Sequence, residues 1–111
     1  MMQILQMPEL KILEISGVIQ TLLALASKKE ATFTQIKNMT GVSNGSLYRA
    51  LKELERIGFL TVEARIVNER ATKIYKLTED GKELARHLSG LLTYLNKKRA
   101  SETSSRLDKF I

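Results

Sequence analysis

Apolar residues recur at spacings of three and four along the N-terminal part of the chain, which is the period of a helix that buries one face. Because Pro8 suits a first helical turn, the pattern predicts one long helix from Pro8 to about Lys29. Apolar residues beside the main stripe predict a second packed side, facing either the chain's own core or a partner subunit. The stripe holds Ile12, Ile15, Ile19, Leu22, Leu23 and Ala26, with Leu13, Val18 and Leu25 beside it.

Two shorter helices joined by a tight turn are predicted next. Thr34 can cap the first of them, which ends near Thr40, where Gly41 suits a left-handed terminal residue. Ile36 and Met39 are expected on its inner side. Its short length and glycine end indicate the supporting helix of a pair.

The stretch "VSNGSLYRALKELERIGFL" predicts the second helix of the pair. Ser43 is expected to cap this helix, and Gly58 is placed to end it as a C-terminal glycine. Leu47, Leu51 and Leu54 recur at i, i+4 and i+7, so they are expected to face the core. Two short helices around a glycine-containing turn predict a helix-turn-helix unit.

Beyond this unit the hydrophobic period changes to that of a strand. The segments "FLTVEARIV" (59–67) and "ATKIYKLT" (71–78) are rich in β-branched and aromatic residues, and "NER" between them predicts a hairpin turn. Alternation in the first strand predicts one solvent-exposed face. Leu60, Val62 and Ala64 share one side of the strand. The other, solvent-exposed side carries Thr61, Glu63 and Arg65.

A final long helix is predicted from about Glu79 to Lys98, with leucines at the spacing of a short coiled-coil seam. The seam either packs onto the first helix of its own chain or forms a dimer interface, which the small size of the domain favours. Residues 1–98 are interpreted as a single domain with N- and C-terminal dimerisation helices, and residues 99–111 as a flexible tail. The predicted interface residues are Leu84, Leu88, Leu91, Leu95, Ile15 and Ile19.

Composition narrows the classes of function. The 111 residues include 18 basic and 12 acidic side chains, so the net charge of +6 attracts polyanions such as nucleic acid or an acidic membrane surface. The absence of cysteine and the single histidine, His87, exclude thiolate chemistry and a histidine metal cluster, so neither a cofactor nor an enzymatic activity is expected. No apolar run is long enough to cross a bilayer, and no secretion signal is evident, which indicates a cytoplasmic protein.

The order helix, short helix, helix, hairpin and helix is that of a winged helix-turn-helix: an α+β fold, mostly α, with a three-helix core, a β-hairpin wing and a long C-terminal helix. Over residues 33–90, "GSLYRALKELERIGFL" followed by "KIYKLTEDGKEL" resembles the signature of PadR-like and MarR-like prokaryotic transcriptional regulators. The first helix lacks the His-Gly-Tyr motif common in PadR-like proteins, and the wing lacks the acidic-Arg loop usual in MarR-like ones. The resemblance therefore implies the fold and the class of function only. The composition suggests an archaeal or archaeal-viral origin.

The side of the second helix opposite its leucines, over about residues 43–57, is expected to enter the major groove of DNA. Arg49 can pair bidentately with guanine, and Lys52 is placed to meet phosphate, unless both form ion pairs with glutamates of the same helix. Gly45 weakens the helix, so its missing side chain either lets the backbone approach a phosphate or relieves a crowded helix crossing. The candidate DNA-binding residues here are Asn44, Gly45, Ser46, Tyr48, Arg49 and Lys52.

The hairpin, over about residues 59–78, is expected to contact the adjacent backbone or minor groove through Arg65, Arg70 and Lys73. Thr34 and Gln35 can donate to phosphate at a helix N-terminus or serve only as caps. These observations predict a sequence-specific transcriptional regulator that binds double-stranded DNA as a homodimer. The alternative is a winged-helix interaction or architectural module with non-specific DNA binding.

Overall fold

The computed structural model describes residues 8–108, with side chains described up to residue 101. Its helices and small antiparallel sheet form a winged helix-turn-helix, which confirms the predicted fold class. No single helix of this part of the chain is long and apolar enough to span a membrane, although the bent pair formed by the first two would pass together by length and composition. After a 3-10 turn (Pro8–Leu10), the elements are α1 (Lys11–Glu14), α2 (Val18–Ser27), β1 (Ala31–Thr32), α3 (Phe33–Thr40), α4 (Asn44–Ile57), β2 (Leu60–Val67), β3 (Arg70–Leu77) and α5 (Glu79–Asp108).

The predicted single N-terminal helix is wrong, because the chain bends by 75° between α1 and α2. Ile15 is extended, and Gly17 follows in the left-handed region at φ 88°. Residues with a side chain rarely adopt this φ, and a Cβ added to Gly17 would lie 2.9 Å from Cγ1 of Val42. The glycine therefore permits both the bend and the close approach of the α3–α4 turn.

The buried face of α2 also differs from the predicted stripe. Val18, Leu22 and Leu25 lie in the core, whereas Ile19 is 37% exposed and Ala26 is exposed. Helix α2 starts only after the bend. Its buried face is therefore oriented independently of α1, although the apolar spacing runs through both helices in the sequence. The predicted stripe is therefore partly correct: Leu22 lies in the core as expected, but Val18 and Leu25 are buried there instead of Ile19 and Ala26.

The supporting helix α3 has a different cap from the one predicted. Thr32, not Thr34, caps it: Thr32 Oγ1 accepts a hydrogen bond from the Gln35 backbone N–H at 3.2 Å, and Gln35 Oε1 accepts from the Thr32 N–H at 2.9 Å. This capping box satisfies two backbone N–H groups at the helix start. Ile36 is buried as predicted, but Met39 is exposed, which corrects its assignment to the inner side.

The predictions for α4 are confirmed. Ser43 caps it by accepting a hydrogen bond from the Ser46 N–H at 3.4 Å. Gly41 and Gly58 end α3 and α4 in the left-handed region, at φ 72° and 99°. Burial of one side of α4 leaves its opposite side in solvent. The leucines of the buried side, each at most 3% exposed, are Leu47, Leu51 and Leu54.

The sheet has three strands in the order β1-β3-β2, of which the sequence predicted only the hairpin. Strands β2 and β3 pair along their full lengths. Their turn contains two residues, Asn68 and Glu69, both in the left-handed region, so Arg70 begins β3 and does not belong to the turn as predicted. Val62 is half-buried and Ala64 is exposed, because the outer half of the hairpin extends beyond the core. This outer half is the wing.

Helix α5 starts against the base of the hairpin. The hydroxyl of Thr78 donates to the Gly58 carbonyl at 2.7 Å and accepts from the Gly81 N–H at 3.1 Å. Gly81 is so close to the chain before β2 that an added Cβ would lie 1.9 Å from the carbonyl oxygen of Phe59. The helix continues to Asp108, beyond its predicted end near residue 98. Its second half therefore extends past the α2–α5 contact.

Candidate nucleic-acid interface

The solvent-facing side of α4 is the surface that was predicted to meet DNA. Its side chains point away from the buried leucines because a helix turns by about 100° per residue. Ser46 lies half-buried at its N-terminal edge. We call this surface the α4 ridge, and its exposed residues are Asn44, Gly45, Tyr48, Arg49 and Lys52.

Space around Gly45 is open. No described atom outside the helix's own backbone lies within 4 Å of a Cβ added at this position. A crowded helix crossing within the chain therefore does not account for the glycine. The backbone of α4 at Gly45 is therefore accessible from solvent.

Neither Arg49 nor Lys52 forms an ion pair with a glutamate of α4 among the described residues. Glu53 accepts hydrogen bonds from Arg56 instead, at 2.7 and 3.1 Å, and the Arg56 guanidinium lowers the pKa of that carboxyl. Lys52 lies over the ring of Tyr48, with Nζ 5.4 Å from the ring centroid. No ion pair of Arg49 is found among the described residues. Arg49 nevertheless lies near enough to Glu53 for its positive charge to help lower the pKa of that carboxyl, after the larger effect of Arg56.

Arg56 is a ridge residue that the sequence reasoning missed. It lies four residues after Lys52 and seven after Arg49, which places it on the same side of the helix. That spacing was the signal that could have identified it. Its pairing with Glu53 neutralises part of its charge, so it contributes less than the other two cations to the attraction of DNA.

Two clefts join the α4 ridge to the hairpin and to α3. The first lies between α4 and the sheet and is lined by Tyr48, Lys52 and Lys73, among others. The second lies between the start of α3 and the hairpin and includes Thr34, Arg70 and Lys73. Lys73 belongs to both, so the structure brings five predicted DNA-binding residues onto one continuous surface.

Two other predicted contacts are engaged elsewhere. Arg65 lies on the opposite face of β2, where it pairs with Glu63 and donates to Glu30 at 3.0 Å. The bond to Glu30 is the main cause that raises the pKa of Arg65 and lowers that of Glu30. The Gln35 side chain serves the α3 cap. The ion pairs of Arg65 were not foreseen from the sequence, whereas the role of Gln35 agrees with the capping alternative.

The six predicted dimer residues lie in three different settings. Leu88 is only 8% exposed and belongs to the core of its own chain, and Leu84 and Ile15 are half-buried against that core, so packing within the chain explains all three. Leu91 and Leu95 are 55% and 53% exposed. With the neighbouring exposed Leu92 they form an apolar surface on the projecting half of α5, which we call the α5 strip. Ile19 lies on α2, outside this strip.

Comparison with known proteins supports the fold. A family model described as "Winged helix DNA-binding domain" matches residues 18–95. A search of curated protein sequences gave no match. Among solved structures, a protein of Streptococcus mutans superposes with a TM-score of 0.73 at 22% identity, covering 83% of this chain and 92% of that one.

Two further solved structures carry the family names suggested by the sequence. A PadR family transcription regulator from Clostridium difficile has a TM-score of 0.66 at 17% identity, with 78% of this chain and 97% of that chain covered. A MarR family transcriptional regulator from Silicibacter pomeroyi also has a TM-score of 0.66 at 17% identity, with 82% of this chain and 61% of that chain covered. These likenesses confirm the fold that the resemblance implied.

Proposed function

Because this chain belongs to the family of winged helix DNA-binding domains, we propose that it is a sequence-specific transcriptional regulator that binds double-stranded DNA as a homodimer. It acts by occupying its site and not by catalysis. The observation that carries the proposal is the continuous surface formed by the α4 ridge and the hairpin, on which no ion pair among the described residues involves Arg49, Lys52, Arg70 or Lys73.

In this proposal α4 enters the major groove and its N-terminal half meets base edges. Arg49 pairs bidentately with guanine, and Asn44 and Ser46 hydrogen-bond to bases or backbone. Gly45, with open space around it, lets the helix approach the duplex closely. Tyr48 and Lys52, held together by their cation–π contact, bind phosphate on the hairpin side.

The hairpin and α3 position the protein on the sugar-phosphate backbone. Lys73 and Arg70 neutralise phosphates next to the groove that α4 occupies, and Thr34, exposed in the first turn of α3, donates to another. These contacts carry no sequence information themselves. They fix the register in which Arg49 meets the base pairs.

The α5 strip supplies the dimer contact. Two copies that pair their strips bury leucines that are more than half exposed in one chain, and the projecting half of α5 provides the length for such a pair. A two-fold axis through this contact sets two α4 helices on one face of the duplex, about 34 Å apart. The expected site is a pseudo-palindrome with half-sites one helical turn apart.

Arg49→Ala tests the reading role of the α4 ridge. Loss of a bidentate guanine contact is expected to weaken binding to a preferred duplex by about tenfold to a hundredfold and to abolish discrimination at one base pair of each half-site. The measurement is a mobility-shift titration over a series of salt concentrations. Unchanged discrimination in this variant would remove Arg49 from base reading.

Arg86→Ala is the matched control for this experiment. Arg86 is exposed, pairs with Glu83 and lines a cleft between α2 and α5, outside the α4 ridge and hairpin. The same loss of charge there is expected to leave base preference unchanged.

A steep salt dependence without any base preference in the unmodified protein would instead support the non-specific architectural module, because counterion release acts on any duplex.

A further inference from the structure

Ile66 is the most exposed large apolar side chain among the described residues, at 75%. It is the penultimate residue of β2 and lies in the wing. Apolar side chains exposed singly are common on protein surfaces. This one differs because it is held on a hairpin that is paired along its full length and whose base packs against α4.

The alternation of β2 places Ile66 on the same face as Val62. Val62 lines the cleft that also contains Tyr48 and Lys52, so this face of the hairpin is continuous with the α4 ridge. Four residues of extended strand place Ile66 roughly 13 Å beyond Val62. An apolar side chain therefore projects past the basic surface on the side that the proposed function turns toward DNA.

The surroundings of Ile66 leave it uncovered, with one cation near it on the same face. Its cross-strand partner is Ala71, and Ala64 lies two residues before it, so its two nearest neighbours on this face are small, and Lys73 lies opposite Ala64. Arg70 pairs with Val67 on the opposite face and shares the cleft beside α3 with Lys73. Glu69 in the turn itself repels phosphate. The side of the hairpin that carries Ile66, and not its end, is therefore the part suited to a duplex.

Building on the proposed function, we propose that Ile66 is an apolar wedge that enters the minor groove beside the base pairs that α4 reads and partly unstacks one base step there. Minor-groove proteins insert isoleucine and similar side chains in this way and bend the duplex toward the major groove. Pyrimidine–purine steps deform most easily, so the wedge adds a preference for such a step at a position that no hydrogen bond reads. Lys73, on the same face, neutralises a phosphate beside it.

The test compares Ile66→Thr with Val67→Thr. Both changes keep a β-branched residue that suits a strand, and Val67, exposed on the opposite face of β2, provides the matched control. The full chain is titrated with a preferred duplex and with a random-sequence duplex. Each duplex carries end labels for energy transfer and 2-aminopurine at the base step under the wing, so that bending and unstacking are measured in the same complex.

The unmodified protein and Val67→Thr are expected to bend the preferred duplex and raise the 2-aminopurine signal. Ile66→Thr is expected to leave both signals at the level of the free duplex and to bind about tenfold more weakly, the loss of one buried isoleucine contact. The wedge is overturned if the unmodified protein bends neither duplex, or if Ile66→Thr bends them as much as the unmodified protein does. The same follows from a changed oligomeric state in Ile66→Thr with bending intact, which would assign Ile66 to contact with a second copy.

Two further results distinguish failure of the wedge from failure of the proposed function. Specific binding by all three proteins without unstacking would overturn the wedge and leave the regulator proposal standing. Bending of both duplexes with equal affinity, lost in Ile66→Thr, would retain the wedge and overturn sequence-specific reading.

Discussion

Replacing Gly81 with alanine is expected to destabilise the protein by about 3 kcal/mol, the upper part of the range for overpacked sites. The new Cβ would lie 1.9 Å from the carbonyl oxygen of Phe59 and 3.0 Å from its carbonyl carbon. This carbonyl cannot simply move away, because it accepts the Thr78 N–H at 3.0 Å and its own residue donates to Leu54 at 2.8 Å. The start of α5 must therefore separate from the end of α4.

Gly90→Ala is the control for this change, because both glycines lie in α5. Apart from the helix's own backbone, no atom of the described residues lies within 4 Å of a Cβ added at Gly90, and this residue is exposed. Alanine there is expected to raise the free energy of unfolding by about 0.5 to 1 kcal/mol through helix propensity alone. Urea denaturation followed by circular dichroism measures both. Equal stability of Gly81→Ala and the unmodified protein would show that α5 does not pack against the hairpin as described.

The double substitution Leu91→Gln with Leu95→Gln is expected to yield a folded monomer that binds DNA at least about a hundredfold more weakly. Both side chains are more than half exposed in the single chain, so the fold loses little, and glutamine preserves helix propensity. The loss of affinity follows because a dimer holds its second α4 at a high effective concentration over the second half-site, a gain of about 10² to 10⁴.

Thr93→Gln provides the comparison for this pair. Thr93 is exposed on the side of α5 that faces away from Leu91 and Leu95, and the change exchanges one neutral polar side chain for another. Sedimentation equilibrium and DNA titration on the same samples give the oligomeric state and the affinity. A dimer that persists after the leucine changes would locate the interface elsewhere, with the exposed Ile19 on α2 as the next surface to test.

Features determined by local chemistry were predictable from the sequence. The spacing of Leu47, Leu51 and Leu54 specifies the buried side of α4, and therefore also the exposed side that carries the α4 ridge. Ser43 and Gly58 mark the ends of the same helix because capping depends on residues only a few positions apart. The α4 ridge is thus largely a property of one segment.

Features determined by distant residues were not predictable in the same way. The apolar spacing continues through the bend, but Gly17 takes a left-handed conformation beside Val42, a contact that no local pattern reveals. Arg65 was predicted to contact DNA, but in the folded chain it bonds to Glu30, which lies 35 positions away in the sequence. Leu88 continues a seam of exposed leucines, and only the packing of α5 on α2 decides that it is buried.

In the proposed function, the two α4 ridges of a dimer each read one half-site of a duplex. Selection of bound duplexes from a random pool by the unmodified protein tests it most directly. The predicted result is a pseudo-palindromic motif with an invariant guanine in each half and half-site centres about 10 to 10.5 base pairs apart. Retention of the pool without enrichment of any motif would contradict the claim.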